Sequence, residues 1–271
     1  MTPGEYAAVL VAGLVAGTVN TIVGAGTLLT FPLLVGIGLP PLTANVSKSV
    51  GLVPGAVTGA WGFRRELAGQ WRAVGRMAAL SAVGGIVGGL ALLRAPGAFG
   101  TIVPWLLLLA SALAAAQPRV AESLRRREAL AALARGETLT EPPPTGLADA
   151  VTRPLGAGLG LGVLATGVYG GYFGAAQGVV LLALLGIAWS TDLHRANGAK
   201  VVLAGVANLV SAVVFAISGE VDWAVTAILA VGAAGGGVLG ARLGRRISAP
   251  VLRTVIVVAG TGAAIALWVR G

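Results

Sequence analysis

Apolar residues run through this chain in stretches long enough to cross a bilayer, separated by short polar or basic segments. A helix crossing the roughly 30 Å hydrocarbon core takes about 20 residues. The pattern predicts a first run from Tyr6 to Leu39 and later runs over 43–63, 73–93, 99–117, 154–189, 197–218, 223–241 and 251–269. The first is too long for one straight span, since a continuous helix there would measure about 50 Å. Its glycines suggest two short arms instead: Gly24 and Gly26 sit mid-run, flanked by Asn20, Thr21, Thr27 and Thr30, with Pro32 following. The 154–189 run repeats the design as ATGVYGGYFGAAQGVVLL, which places a break at Gly170, Gly171 and Gly174 with Tyr169, Tyr172 and Gln177 beside it.

The two breaks belong to a longer repeat. Asn45, Lys48, Trp71, Gly84, Gly85 and Gly88 recur as Asn197, Lys200, Trp223, Gly236, Gly237 and Gly240, all 152 residues later. Upstream the offset is 150, matching Gly17, Gly24, Leu34 and Gly36 to Gly167, Gly174, Leu184 and Gly186. Such self-similarity marks two copies of one structural unit. The expected organisation is a first membrane repeat over 1–117, a charged and proline-rich linker over 118–150, and a second membrane repeat over 151–271. Each repeat is read as a broken, re-entrant helical segment followed by three transmembrane helices.

Basic residues orient this arrangement, because positive charge accumulates in cytoplasmic loops. If each broken segment returns to the side it entered from, Arg64 to Arg76, the 118–150 linker, His194, Arg195 and Arg242 to Arg253 all share one side. The two halves are then inverted-topology repeats, as in many secondary transporters. The linker is expected to carry a short amphipathic helix near 119–135 and a stiff stretch around Pro142, Pro143 and Pro144. The chain is accordingly read as an all-α polytopic protein of the inner (cytoplasmic) membrane.

Composition narrows the chemistry. The chain is 56% apolar and 11% charged, against roughly a quarter charged in soluble domains. Its 43 glycines lie mostly inside the apolar runs, where small residues let membrane helices approach closely. Trp61, Trp71, Trp189, Trp223 and Trp268 fall near run ends, the depth an amphipathic indole prefers. The absence of cysteine excludes thiolate chemistry, and one histidine with a single nearby carboxylate does not make a metal site. The net charge of +9 reflects membrane orientation rather than nucleic-acid binding, and no cofactor or enzymatic constellation is evident.

Lysine within hydrocarbon is expensive and usually marks a pathway or a paired charge. Lys48 and Lys200 each lie one helical turn after an asparagine, and no carboxylate repeats with them. An incoming anion is the expected partner, helped by amides at the half-helix N-termini, with snorkelling to an interface as the competing account. Asn20, Gly24, Gly26, Thr27, Asn45 and Lys48 from the first half, with Gly170, Gly174, Gln177, Asn197 and Lys200 from the second, form the expected substrate-binding set. Asn208, polar within an apolar run, is expected to bond between helices, with substrate contact as the alternative.

The segments FPLLVGIGLPPLTANVSKSV and LLALLGIAWSTDLHRANGAKVV, each closing a glycine-rich broken run, resemble the sulfite exporter TauE/SafE family of membrane permeases. The resemblance covers essentially the whole chain, although Leu182 stands near the place of a second-half proline. It implies transport of a small inorganic or organosulfur anion, sulfite or an organosulfonate. Alternating access is the expected mechanism. A proton or sodium ion is the expected class of any coupling ion, membrane lipid is the surrounding partner, and a homodimer is compatible. An uncoupled anion channel or uniporter, and a non-transporting subunit of a complex, are the alternative readings.

Overall fold

The computed structural model describes residues 1–134, 155–190, 192–243 and 249–270. Among them every regular element is an α-helix. The first broken run forms α1 (Pro3–Ile22) and α2 (Thr27–Gly36), followed by α3 (Pro41–Gly51), α4 (Val53–Gly62), α5 (Trp71–Arg94) and α6 (Pro96–Ala134). The second forms α7 (Ala157–Tyr172) and α8 (Gln177–Ala188), followed by α9 (Leu193–Ala216), α10 (Trp223–Leu243) and α11 (Ala249–Arg270). Five of these, α1, α5, α6, α9 and α10, are long and apolar enough to span a bilayer. The molecule is a polytopic helical membrane bundle.

Three features depart from the sequence reading. The second break lies at Phe173–Ala176, not at Gly170 and Gly171, which remain within α7. Those two glycines serve packing: a Cβ at Gly171 would overlap the Gly85 backbone, and one at Gly170 would overlap the Gln177 side chain. The 43–63 run is interrupted at Leu52, because Pro54 has no N–H with which to continue the helix. Its counterpart 152 residues on is Val206, and α9 runs through unbroken. Finally, α6 continues past Gln117 through Pro118 to Ala134, a length of about 59 Å. The proline stretch at 142–144 lies outside the described residues.

Helices pack through small residues, as expected where lipid supplies no hydrophobic drive between them. Gly13 and Gly17 of α1 abut the backbone of α10 at Leu229–Ala233, while Gly236 meets Leu14 and Thr18, so the two helices run parallel. In the same way Gly84 and Gly88 of α5 meet α7 at Leu164–Val168 and Val168–Tyr172. Gly55 and Gly62 set α4 parallel to α10, and Gly85 and Gly89 set α9 parallel to α5. Each broken helix therefore lies against an element of the opposite half.

One end of the bundle is basic. The α4–α5 loop reaches the start of α9, where Arg195 Nε donates to the Glu66 carbonyl at 3.4 Å and Leu67 covers Gly198. The ends of α4 and α10 meet at Gly62 and Ala241, and Leu124 of the α6 extension covers Gly186 near the end of α8. Arg64, Arg65, Arg72, Arg76, Arg195 and Arg242 thus share this end. Trp61, Trp71, Trp223 and Trp268 are exposed as an interfacial indole should be. Trp189 is the exception, 2% exposed in the core cluster formed with Leu67, Leu124 and Leu185.

Candidate functional site

Breaking a helix leaves its last carbonyls without intrahelical partners, and at membrane depth something else must satisfy them. At the end of α1, Lys200 Nζ lies 3.3, 3.2 and 3.4 Å from the carbonyl oxygens of Asn20, Thr21 and Ile22. Asn197 Nδ2 adds a donation to Thr21 O at 3.3 Å. At the end of α7, Lys48 Nζ donates to Phe173 O at 2.5 Å and Asn45 Nδ2 to Tyr172 O at 3.0 Å. Each Asn-x-x-Lys segment thus caps the broken helix of the other half. A cation at a helix C-terminus also meets the negative end of the helix dipole.

This changes the chemistry expected of the lysines. Both are almost wholly buried, and among the described residues neither meets a carboxylate. Their partners are backbone carbonyls, so they hold the scaffold together even with no anion bound. Lys48, moreover, lies 5.0 Å from the centroid of the Phe173 ring, a distance at which cation and ring attract.

The breaks themselves meet at the centre. Gly24 has φ +86°, and its carbonyl accepts from Gly178 N at 3.2 Å. Gly174 has φ +74° and is followed by Ala176 at φ +56°, a left-handed turn that starts α8. Asn20 Oδ1 reaches across the first break to accept from Gly26 N at 2.7 Å, which ties the end of α1 to the residue that precedes α2. In the second half Gln177 Nε2 donates to Thr166 O at 3.0 Å and Tyr169 Oη to Ala175 O at 2.5 Å. One amide expected to face an anion at each break is therefore already occupied.

A small, partly open cleft lies beside this junction. Of the residues singled out in sequence, Asn20, Gly24, Thr27, Gly174, Gln177 and Lys200 line it, whereas Gly26, Asn45, Lys48, Gly170 and Asn197 do not. The walls are built largely from equivalent positions of the two halves. Gly24 and Gly174, and Thr27 and Gln177, are separated by 150 residues; Leu52 and Ala204, and Ala56 and Asn208, by 152. Ala56, Ala204 and Gly205 carry no sequence signal that separates them from ordinary helix-packing residues. Asn208 was legible as polar, but it lines the cleft instead of bridging helices.

The two lysines, equally buried, differ in surroundings. Lys200 lines the cleft, while Lys48 lies beneath an aromatic cluster. There Phe31 packs edge-on against Phe99 and Phe173, with ring centroids 6.3 and 5.3 Å away, and Tyr172 lies 5.9 Å from Phe99. The repeat offsets set aliphatic residues opposite them: Leu181 for Phe31, Val251 for Phe99, Ile22 for Tyr172 and Val23 for Phe173.

Among the described residues no group of three histidine, cysteine, aspartate or glutamate side chains could hold a metal ion. The sequence model of the family described as Sulfite exporter TauE/SafE matches residues 9–267. The chain belongs to the TauE/SafE sulfite-exporter family. Members of this family are transporters, not enzymes. Together with the helical membrane bundle, TauE/SafE membership makes this protein a membrane transporter of small anions. No curated protein and no solved structure matches it.

Proposed function

We propose that the protein is a secondary transporter that carries sulfite or an organosulfonate across the cytoplasmic membrane by alternating access between two inverted repeats. The repeats are residues 1–117 and 151–271, joined on the cytoplasmic side by 118–150. The observation that carries this reading is the cleft, whose walls pair equivalent positions of the two halves around the one cation that lines it, Lys200. A substrate site on the axis between inverted repeats is the arrangement expected of such carriers.

The helix directions support the inversion. Because α1 and α4 both run parallel to α10, α1 starts at the end of the bundle where α3 starts, and α2 returns to that end. Because α7 and α9 both run parallel to α5, the second broken pair enters and leaves at the opposite, basic end. Positive charge there favours a cytoplasmic location.

Inequality between the two lysines supports alternation. In a carrier opened to one side, equivalent elements of the two repeats adopt different environments. Here one cap borders a cleft while the other is covered by aromatic rings. The anion then meets Lys200, Gln177, Asn20 and the backbone at Gly24 and Gly174, and rocking of one half against the other exchanges which cap is accessible.

The test is uptake of radiolabelled sulfite and sulfonates by proteoliposomes containing the purified chain. A carrier gives saturable flux that is accelerated by unlabelled anion on the opposite side. Flux without such acceleration indicates a channel, and no flux of any sulfur anion by the chain alone points to the subunit reading.

A further inference from the structure

Two polar side chains that line the cleft, Thr27 and Asn208, take part in no hydrogen bond among the described residues, and of these Asn208 is the amide. Asn208 lies two-thirds of the way along α9 and is partly buried there. Its side chain lines the cleft, and among the described residues none hydrogen-bonds to that side chain. The position opposite, Ala56, has no polar group. Helix cohesion therefore does not account for this asparagine, whose amide is free to meet an occupant of the cleft.

Its spacing from Lys200 indicates what kind of occupant. Both line the cleft from α9, and eight residues along a helix correspond to a rise of about 12 Å. Helical side chains lean toward the N-terminus, so both ends shift the same way and the separation is kept. Ala204 and Gly205 form the floor between them, with Leu52 and Ala56 across the cleft. Two hydrogen bonds take up roughly 5.6 Å of the span. The remainder is more than one compact oxyanion bridges, and it suits an anionic head, a short carbon spacer and an uncharged polar end.

We propose that Asn208 is a selectivity residue, which hydrogen-bonds the uncharged polar end of an elongated organic anion whose charged head rests at Lys200. The proposal rests on the anion-transport reading and narrows it from small anions in general to those with a polar group at the far end. Compact inorganic anions occupy the Lys200 end alone and bind independently of Asn208.

The experiment is calorimetric binding to the purified full chain in nanodiscs, using 2-hydroxyethanesulfonate and ethanesulfonate, which differ only in the distal hydroxyl. Wild type is expected to favour the hydroxylated anion by about three- to tenfold, the worth of one hydrogen bond. Asn208→Ala and Asn208→Ser are compared with it. Asn208→Ala removes the preference and leaves ethanesulfonate binding unchanged, which also shows the variant to be folded; Asn208→Ser retains part of the preference. Equal binding of the two anions by wild type, or a preference that survives in Asn208→Ala, overturns the proposal and leaves the anion-carrier reading standing. Binding of neither anion by wild type, with sulfite also unbound, overturns both.

Discussion

The amide of Gly178 donates to the carbonyl of Gly24 at 3.2 Å, so the broken helices of the two halves are joined backbone to backbone at the centre of the molecule. A Cβ on either glycine would overlap the backbone of the other, and at Gly24 the positive φ adds strain for any other L-residue. Backbone on both sides leaves no flexible side chain to give way. Gly24→Ala and Gly178→Ala are each expected to abolish transport and to lower Tm by several degrees in detergent. Gly36→Ala, at a helical position with open space around it, is the matched control. It should leave transport intact and leave Tm unchanged or slightly raised, since alanine favours a helix over glycine by about 1 kcal/mol.

The lysines separate scaffold from substrate contact. Removing either ammonium strands carbonyls of a broken helix, at roughly 1–3 kcal/mol for a buried group left without its partner. Lys48→Met and Lys200→Met are therefore expected to destabilise the protein to a similar degree. Only Lys200→Met should also lose the rise in Tm that added sulfite or sulfonate gives the wild type, because only Lys200 lines the cleft. Thermal unfolding with and without anion checks both halves of the statement. Loss of the anion effect in both variants would place Lys48 in the substrate path as well.

The aromatic cluster over Lys48 makes a third expectation. The chain contains no cysteine, so a single introduced thiol is labelled against an empty background. Val201 lines the cleft, and its counterpart 152 residues earlier is Ser49, one residue past Lys48; the two are equally buried, so the cleft is what separates them. A thiol in Val201→Cys should react with a small maleimide readily, and one in Ser49→Cys slowly. Adding Phe31→Ala or Phe99→Ala to Ser49→Cys should speed its labelling by about tenfold or more, as loss of a buried ring opens a void in the cover. Unchanged labelling in both combined variants would mean that the rings do not control access.

Much of this architecture is legible in the chain because it is written twice. The runs of apolar residues gave the membrane bundle, and the paired glycine-rich segments gave the two breaks to within a few residues. The second break was displaced because Gly170 and Gly171 resemble Gly174 in sequence, and only φ separates a glycine that turns the chain from one that lets helices touch. The partners of Lys48 and Lys200 were not legible. Spacing of three places asparagine and lysine on one helix face, but it does not say what lies opposite, and the carbonyls they meet belong to segments 125 to 180 residues away. The cleft was half legible for the same reason: Asn20, Gln177 and Lys200 announce themselves, whereas Ala56 and Gly205 are small residues that sequence alone does not set apart from helix packing.

The exchange of caps between halves also bears on how the chain is made. The exposed carbonyls at the end of α1 find their donors only when Asn197 and Lys200 have been synthesised. At roughly 5–20 residues per second, translation of the intervening stretch takes on the order of ten seconds or more. During that interval the first broken helix is in the translocation machinery or the membrane with its end unfinished. Completion of the second half is then the event that locks the first, and a nascent chain stalled before Lys200 remains open at α1 and exposed to membrane quality control.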